Sequence, residues 1–187
     1  KDAEVLFDDC TFDTYSKAFT LNGNAKVTII NSVVNSQKIG AFLEDQSALS
    51  VEKCSVNTSQ GFIAQGNASL SITKTALSQL NENGILCLNQ ASLSLDEVQF
   101  TGSIKSKISI STDSKGNSIK NCNFTGVTLR TSQSGEVSIE SSRFDIRDEG
   151  DIEFSGESRV SSHDSVFNTG GKLIRVTTAS QLASSND

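Results

Sequence analysis

The stretch ASLSITKTALSQLNENGILCLNQASLSLDEVQF, residues 68–100, contains the same phrase twice. The segment ASLSI at residues 68–72 returns as ASLSL at residues 91–95, which is 23 residues later. Self-similarity at a period of about 20 to 50 residues is typical of solenoids and other arrays, in which each repeat is one structural unit. The repeat is therefore the first guide to the fold.

The phrase recurs through the chain in eight copies, of which the last is the weakest. Its pattern is two apolar residues at alternate positions, a small residue or cysteine, and a closing apolar residue, with Asn117 and Ser162 as polar exceptions at the first two positions. Alternation at period two beside β-branched and aromatic residues is typical of strands. A second apolar stretch lies between copies, as in residues 40–43 and 84–87, and often follows a glycine that we interpret as a turn residue. The closing residues are 20 to 24 positions apart and are Phe12, Val34, Val56, Leu77, Phe100, Phe124, Phe144 and Phe167.

Two or three short strands per turn of about 22 residues, with no helical period, leave too little chain for helical repeats. The pattern predicts an all-β fold, a right-handed parallel β-helix of about eight coils. Equivalent residues of successive coils would then lie about 4.8 Å apart. Stacking would supply the core, because one coil cannot bury its apolar row alone.

The repeat pattern of residues 3 to about 176 resembles that of the pectin-lyase-like superfamily of right-handed β-helices. That group includes polysaccharide lyases and hydrolases, phage tailspikes, autotransporter passengers, chlamydial polymorphic outer-membrane proteins and some intracellular scaffolds. The chlamydial Gly-Gly-Ala-Ile motif is absent, and FNTGG at residues 167–171 matches it only in part. The resemblance implies the β-helical fold and, for the lyases, calcium bound by aspartates of adjacent coils beside a basic residue that abstracts a proton.

Composition limits the partners. The net charge is −6 without a cluster of Lys or Arg, which argues against nucleic acid and anionic membranes. No apolar run approaches the roughly 18 residues of a membrane span, so no membrane insertion is expected.

We interpret residues 1–187 as a single β-helix domain cut from a larger protein, because the chain starts at Lys1 and contains no Met. Within this domain we interpret residues 177–187 as a terminal tail.

Four cysteines raise the question of disulfides. Cys10, Cys54 and Cys122 occupy the small position of their copies, and Cys87 lies on a different strand. Two coils separate Cys10 from Cys54, about 9.6 Å at the strand spacing, which exceeds the Cα separation of about 7 Å that a disulfide tolerates. We predict four unpaired thiols. No Cys-x-x-Cys pair exists for zinc, and no cofactor is expected.

The segment SSHDS at residues 161–165 contains the only histidine of the chain beside an aspartate and serines. Adjacent residues of an extended segment point in different directions, so they do not converge as a catalytic triad must. We interpret His163 and Asp164 as an exposed turn and predict no catalytic residue.

An acidic segment, RFDIRDEGDIEF at residues 143–154, is the one place where a lyase-like site could lie. It lacks the EF-hand spacing, and we interpret it as a charged turn without a metal site. Its carboxylates are Asp145, Asp148, Glu149, Asp151 and Glu153, and the nearby basic residues are Arg143, Arg147 and Arg159.

A row of hydroxyl residues is the most regular outward feature. Stacking at about 4.8 Å favours small uncharged residues in such a row, because like charges would repel. The alternative is a flat contact face for a partner protein, a glycan or ice. The row consists of Thr28, Ser50, Ser71, Ser94, Ser118, Ser138 and Ser161, with Leu6 as its one exception.

Three functions fit these features. The first is a non-enzymatic stalk or adhesive platform of a surface or secreted protein, which binds a protein or glycan on a host or cell surface. The second is a polysaccharide-active lyase or hydrolase. The third is an intracellular, cytoplasmic interaction scaffold, with which four unpaired thiols agree. The repeat also leaves both ends without an evident cap, so end-to-end self-association is expected.

Overall fold

A computed structural model describes residues 2–146, 151–170, 174–177 and 181–185, and these residues form strands and turns without a helix. The strands belong to two sheets, and all strand pairs are parallel. The first sheet has nine strands: β1 Glu4–Asp8, β4 Lys26–Ile30, β6 Ala48–Glu52, β8 Ser69–Thr73, β11 Ser92–Asp96, β13 Lys115–Lys120, β15 Glu136–Glu140, β18 Arg159–His163 and β21 Gln181–Ser185.

The second sheet wraps around the other sides of each turn. Its longer strands are bent by register shifts, so that one strand supplies two sides of a turn. Its twelve strands are β2 Thr11–Thr14, β3 Lys17–Leu21, β5 Val33–Leu43, β7 Ser55–Ala64, β9 Ala76–Leu80, β10 Asn83–Asn89, β12 Gln99–Thr112, β14 Asn123–Ser132, β16 Arg143–Asp145, β17 Ile152–Phe154, β19 Val166–Asn168 and β20 Ile174–Val176.

The chain is thus a parallel β-solenoid of about eight turns, as the repeat predicts. Each strand of the first sheet pairs with the strand one repeat later, in the register that the sequence pattern indicates; Leu49, Leu70 and Leu93 are successive partners. Strand β21 adds a ninth member to this sheet, although it lies within the stretch that we interpreted as a tail.

The core is the interior of the solenoid. The predicted inward residues are buried through the middle turns; Leu95, for example, has no exposed surface. A ladder of phenylalanines runs through the interior, with ring centroids 5.7, 4.5 and 5.0 Å apart from Phe100 through Phe124 and Phe144 to Phe167. At the first turn, predicted core residues are more accessible: among the described residues β1 pairs only with β4, and Val5 is 40% exposed.

A polar residue in this interior has a specific structural role. Asn117 takes an apolar position of the repeat but is 1% exposed. Its side-chain oxygen accepts the N–H of Leu93 at 3.0 Å, and its amide donates to the carbonyls of Ser114 and Glu136. A buried polar group is tolerated when its hydrogen bonds are made in this way.

A tight turn joins the two sheets in every coil. Its first residue adopts the left-handed conformation, with φ between 47° and 53°. The N–H of that residue donates to a carbonyl of the following coil at 2.9–3.4 Å, which ties each turn to its neighbour. These residues are Asp9, Asn31, Lys53, Lys74, Glu97, Asn121, Ser141 and Asp164.

The small position that follows this turn, which we call the slot, is a hydrogen-bonding position. In seven of the eight coils its hydroxyl or thiol donates to the carbonyl two residues earlier, at 2.6–3.3 Å. Four of those groups also accept the N–H of the slot residue one coil earlier, at 3.0–3.2 Å. The slot residues are Cys10, Ser32, Cys54, Thr75, Val98, Cys122, Ser142 and Ser165.

The glycines of the second apolar stretch lie inside strands, so their interpretation as turn residues was wrong. Gly40, Gly61 and Gly84 belong to β5, β7 and β10, in successive coils. A Cβ atom at Gly61 would lie 1.9 Å from the carbonyl oxygen of Gly84, and one at Gly40 would lie 2.7 Å from that of Gly61. Close approach of three backbones therefore requires glycine there.

Candidate binding face

The predicted hydroxyl residues form one column on the outer face of the first sheet. Strand register pairs each of them with the next, from Thr28 and Ser50 through Ser71, Ser94, Ser118 and Ser138 to Ser161. Leu6 precedes the column and Ala183 follows it. Seven residues at the strand spacing span about 29 Å. Their role in binding stays a prediction.

The residues of this column are half-buried. One hydrogen bond links two of them directly, from Ser118 Oγ to Ser94 Oγ at 3.2 Å. The remaining hydroxyls of the column have donor and acceptor capacity that a ligand on this face could use. We call this surface, the column with its flanking residues, the hydroxyl face.

The hydroxyl face deepens into a groove towards its C-terminal end. There the flanking column changes from the small residues Ala48, Ser69 and Ser92 to long charged or polar ones. The groove has a volume of about 440 Å³, and its outward lining includes Glu136, Ser138, Arg159, Ser161, Gln181 and Ala183.

Charges beside the groove are paired. Arg159 Nη1 lies 3.8 Å from Glu136 Oε1 on one side, and Lys120 Nζ lies 2.9 Å from Glu140 Oε2 on the other. The hydrogen bond and charge of Glu140 raise the pKa of Lys120. The groove therefore has an uncharged floor between largely neutralised walls.

His163 contacts a different serine from those beside it in sequence. Its Nδ1 atom is hydrogen-bonded to Ser185 Oγ of β21, and Ser165 Oγ donates to the carbonyl of His163 at 2.8 Å. Glu140 lies on the other side of His163 in the same column, but its carboxylate is paired with Lys120. The interpretation of Asp164 as a turn residue is correct, whereas His163 ends strand β18.

The acidic segment lies partly outside the described residues, which exclude Arg147, Asp148 and Glu149. Its described carboxylates each face an arginine. Arg130 lies 3.6 Å from Glu153 and 4.0 Å from Asp151, and Arg143 lies 3.8 Å from Asp145. In the part of the chain that the structure describes, no group of three or more His, Cys, Asp or Glu residues is placed to hold a metal ion.

All four cysteines are unpaired, as predicted. Cys54, Cys87 and Cys122 are buried, while Cys10 in the first turn is half-buried. Burial raises the pKa of the Cys87 thiol to about 12 and that of the Cys122 thiol to about 11, and it also raises the pKa of Cys54. Such thiols are poor nucleophiles, because the reactive species is the thiolate.

An outward apolar stripe is a surface feature that the repeat pattern did not predict. Phe42, Ile63 and Leu86 follow one another in register on the second sheet and are half-buried. The ammonium of Lys17 lies 4.6 Å from the ring centroid of Phe42. These strand segments are apolar on both faces, so alternation could not show which side faces outwards.

Comparison with known proteins gives no family. No protein-family model matches the chain, and neither the curated proteins nor the solved structures contain a significant match. Within the described residues, no helix is long and apolar enough to cross a membrane.

Proposed function

We propose that this chain is a non-enzymatic binding platform, the β-solenoid part of a surface or secreted protein, and that its ligand is a glycan or protein of a host or cell surface. The observation that supports this most is the uncharged hydroxyl column of the hydroxyl face, about 29 Å long at the strand spacing. Neighbouring strands of one parallel sheet hold its members in register.

Hydroxyl groups at a regular spacing suit a ligand that itself presents rows of hydroxyls or backbone amides. Each serine can donate one hydrogen bond and accept two. A single neutral hydrogen bond contributes only about 0.5–1.5 kcal/mol, so affinity would come from several contacts along an extended ligand. Paired charges beside the column leave it without a strong preference for either sign of charge.

A double variant tests this proposal. Ser94→Glu with Ser118→Glu introduces adjacent carboxylates in the centre of the column, and it should abolish binding in a screen of surface glycans and displayed surface proteins. The matched control is Thr101→Glu with Thr125→Glu, which places the same charges on exposed, register-paired residues of the second sheet. Equal loss of binding in both variants, or no ligand in either screen, would contradict the proposal.

A second candidate, the intracellular interaction scaffold, is supported by the four unpaired thiols. Free cysteines persist in reducing compartments, whereas oxidising ones favour disulfides. The same hydroxyl face would then bind a cytoplasmic protein. Fractionation of the source cells, with an antibody against the chain, distinguishes the two candidates by compartment.

A further inference from the structure

One coil of the solenoid contains an inserted residue on the first sheet. The closing residues Phe100 and Phe124 are 24 positions apart, the longest interval of the repeat. In strand β13 the register to β15 shifts between Lys115 and Asn117, so Gly116 is left without a partner in β15. Such an insertion is a β-bulge, and bulges are over-represented beside active sites, where they re-aim side chains or end pairing.

The bulge requires glycine. Gly116 is exposed and has a φ of +121°, which residues with a Cβ atom rarely adopt. A Cβ atom there would meet nothing within 4 Å, so the backbone conformation, not crowding, explains the glycine. Regular pairing is also reduced at this point, because β13 pairs with β11 through three residues, whereas β11 pairs with β8 through five.

Asn117 holds the bulge in place. It follows Gly116 and is almost fully buried, and its side chain bonds to the N–H of Leu93 and to the carbonyls of Ser114 and Glu136. One side chain thus ties β11, the residue before β13, and β15 together. An apolar residue, which most other coils have at this position, could not make these bonds.

The groove of the hydroxyl face begins at this bulge. Gly116 and Asn117 line it at one end, and the long side chains of Glu136, Arg159 and Gln181 form a wall along the next coils. The groove volume of about 440 Å³ is within the range of about 300–1,000 Å³ that is typical of small-molecule sites.

Polar groups of the groove keep hydrogen-bonding capacity. Arg159 Nη1 and Glu136 Oε1 are 3.8 Å apart, beyond hydrogen-bond distance, and their side chains are 67% and 41% exposed. The Gln181 carboxamide makes no hydrogen bond to another described residue, and neither do the hydroxyls of Ser138 and Ser161 in the adjacent column. These groups therefore offer both donors and acceptors to a ligand.

We propose that this groove binds sugar residues of a neutral glycan, held by Glu136, Arg159 and Gln181. The proposal rests on the binding function proposed above, and it names the ligand class and the part of the hydroxyl face that recognises it. A carboxylate accepts hydrogen bonds from sugar hydroxyls, while a guanidinium and a carboxamide donate to their oxygens. Each of these planar groups can bond two neighbouring hydroxyls at once.

The charges of the groove favour a neutral ligand over an ionised one. Arg159 and Glu136 have opposite signs, and Lys115 and Glu157 on the outer side of the same wall add one charge of each sign. An anionic or cationic ligand therefore gains no net attraction there.

The groove is less suited to an extended peptide. Strands β13, β15 and β18 each pair with neighbours on both sides, so a peptide cannot add to them as a further strand. Among the described residues, the outward lining has no aromatic or large apolar side chain. The groove thus lacks the apolar anchor contacts that dominate protein recognition.

Titration of the isotope-labelled chain with neutral tetrasaccharides, followed by amide NMR spectra, tests the proposal. The probes are maltotetraose, cellotetraose, mannotetraose and galactotetraose, with tetragalacturonate as the charged probe. The amide signals of Gly116, Ser138 and Ser161 should shift with at least one neutral probe, with a dissociation constant on the order of 0.1–10 mM. Those of Thr101 and Thr125 on the second sheet should stay unchanged, and tetragalacturonate should bind more weakly than the best neutral probe.

Exposed groove residues allow variants that leave the core intact. Arg159→Ala and Glu136→Ala should each lower the association constant about fivefold or more, because each removes hydrogen bonds to the sugar. The matched control is Arg143→Ala, because Arg143 is also exposed and paired with a carboxylate but lies on the second sheet. It should change the association constant by less than about twofold.

The outcomes separate this proposal from that for the whole face. If Ser94→Glu with Ser118→Glu abolishes binding of a ligand from the surface screen while no tetrasaccharide shifts the groove amides, the groove proposal is wrong and the platform proposal stands. If a tetrasaccharide binds in the groove but that double variant loses no ligand from the screen, the groove proposal stands alone. Shifts confined to residues outside the groove, tighter binding of tetragalacturonate, or equal losses in Arg159→Ala and Arg143→Ala would overturn the groove proposal.

Discussion

The hydroxyl of Ser142 accepts the backbone N–H of Cys122 at 3.1 Å, and these two residues occupy the same slot in successive coils. The same hydroxyl donates to the carbonyl of Glu140 at 2.8 Å. One side chain thus satisfies a buried donor of the preceding coil and an acceptor of its own turn. The choice of Ser, Thr or Cys at this position therefore reflects hydrogen bonding as well as size.

Val98 is the exception among the slot residues, and it gives a prediction. It is fully buried and has no oxygen to accept the N–H of Thr75, the slot residue one coil earlier. Val98→Thr should be neutral or stabilise the protein by up to about 1 kcal/mol, because the new hydroxyl gains both slot hydrogen bonds. Urea denaturation of the two proteins measures the difference.

A matched control for that variant is Val56→Thr, at a buried apolar position of the closing column. The new hydroxyl there has no slot geometry, so a loss of about 1–3 kcal/mol is expected. Equal losses in the two variants would show that the slot has no special tolerance for a hydroxyl.

The sequence was sufficient to predict which residues stack on one another in successive coils. A period-two pattern that recurs every 20 to 24 residues permits only one stacking register. Leu95 and Ser94 are adjacent, yet one is fully buried and the other lies on the outer face, as the pattern indicates. The hydrogen bonds of the slot could not be predicted in the same way. They join residues of different coils, and cysteine there is equally well explained by its small volume.

The inside-outside register can be tested with one pair of variants. Leu95→Asp places a carboxylate in the core and should abolish cooperative unfolding, because a buried unpaired charge costs several kcal/mol. Ser94→Asp changes the outer face and should cost less than about 1 kcal/mol, as surface changes usually do. Thermal unfolding followed by circular dichroism compares them, and equal effects would show that the register is wrong.

The glycine column gives a prediction about close backbone approach. Gly61→Ala would place a methyl group 1.9 Å from the carbonyl oxygen of Gly84, so the coils must separate locally. We expect a loss of about 1–3 kcal/mol, the usual cost of overpacking. Gly23→Asn is the control, because Gly23 has φ +61° and open space around it, and asparagine tolerates that conformation. The free energy of unfolding from urea denaturation should fall for the first variant and change by less than about 1 kcal/mol for the second.

The candidate site was less predictable than the fold. The hydroxyl column follows from the repeat alone, since its members share one position of every copy. The contact of His163 with Ser185 was missed because residues 177–187 were interpreted as a tail; they carry no apolar pattern strong enough to indicate a strand. The outward stripe of Phe42, Ile63 and Leu86 was missed because segments that are apolar on both faces carry no period-two signal.

Thiol accessibility should follow position along the solenoid. In the native protein, a thiol reagent should label Cys10 first, because Cys10 is half-buried in the first turn and the other three cysteines are buried. Under denaturing conditions without reductant, all four should react. Labelling followed by peptide mass spectrometry identifies each site. A denatured count of two or zero, or native labelling of Cys87 at the rate of Cys10, would contradict the structure.

Stability should fall at alkaline pH because of the buried thiols. Burial raises the pKa of Cys87 from 9.0 to about 12 and that of Cys122 from 9.0 to about 11, so the folded state holds these protons more tightly than the unfolded state. Their contribution to stability is fully present below pH 9 and is lost as the pH rises through the folded pKa values. Each thiol should reduce the free energy of unfolding by about 1.4 kcal/mol per pH unit once the unfolded chain ionises.

The double variant Cys87→Ala with Cys122→Ser isolates this effect. Serine fills the slot in other coils and keeps its hydrogen bonds, and neither new residue titrates in this range. Urea denaturation at pH 7.5, 9, 10 and 10.5 should show a steeper loss of stability in the parent protein than in the variant. The range stays at or below pH 10.5, where the raised pKa of Lys120 keeps that ammonium charged in the folded protein. An identical pH dependence in the two proteins would mean that Cys87 and Cys122 ionise in the folded state as readily as in the unfolded chain.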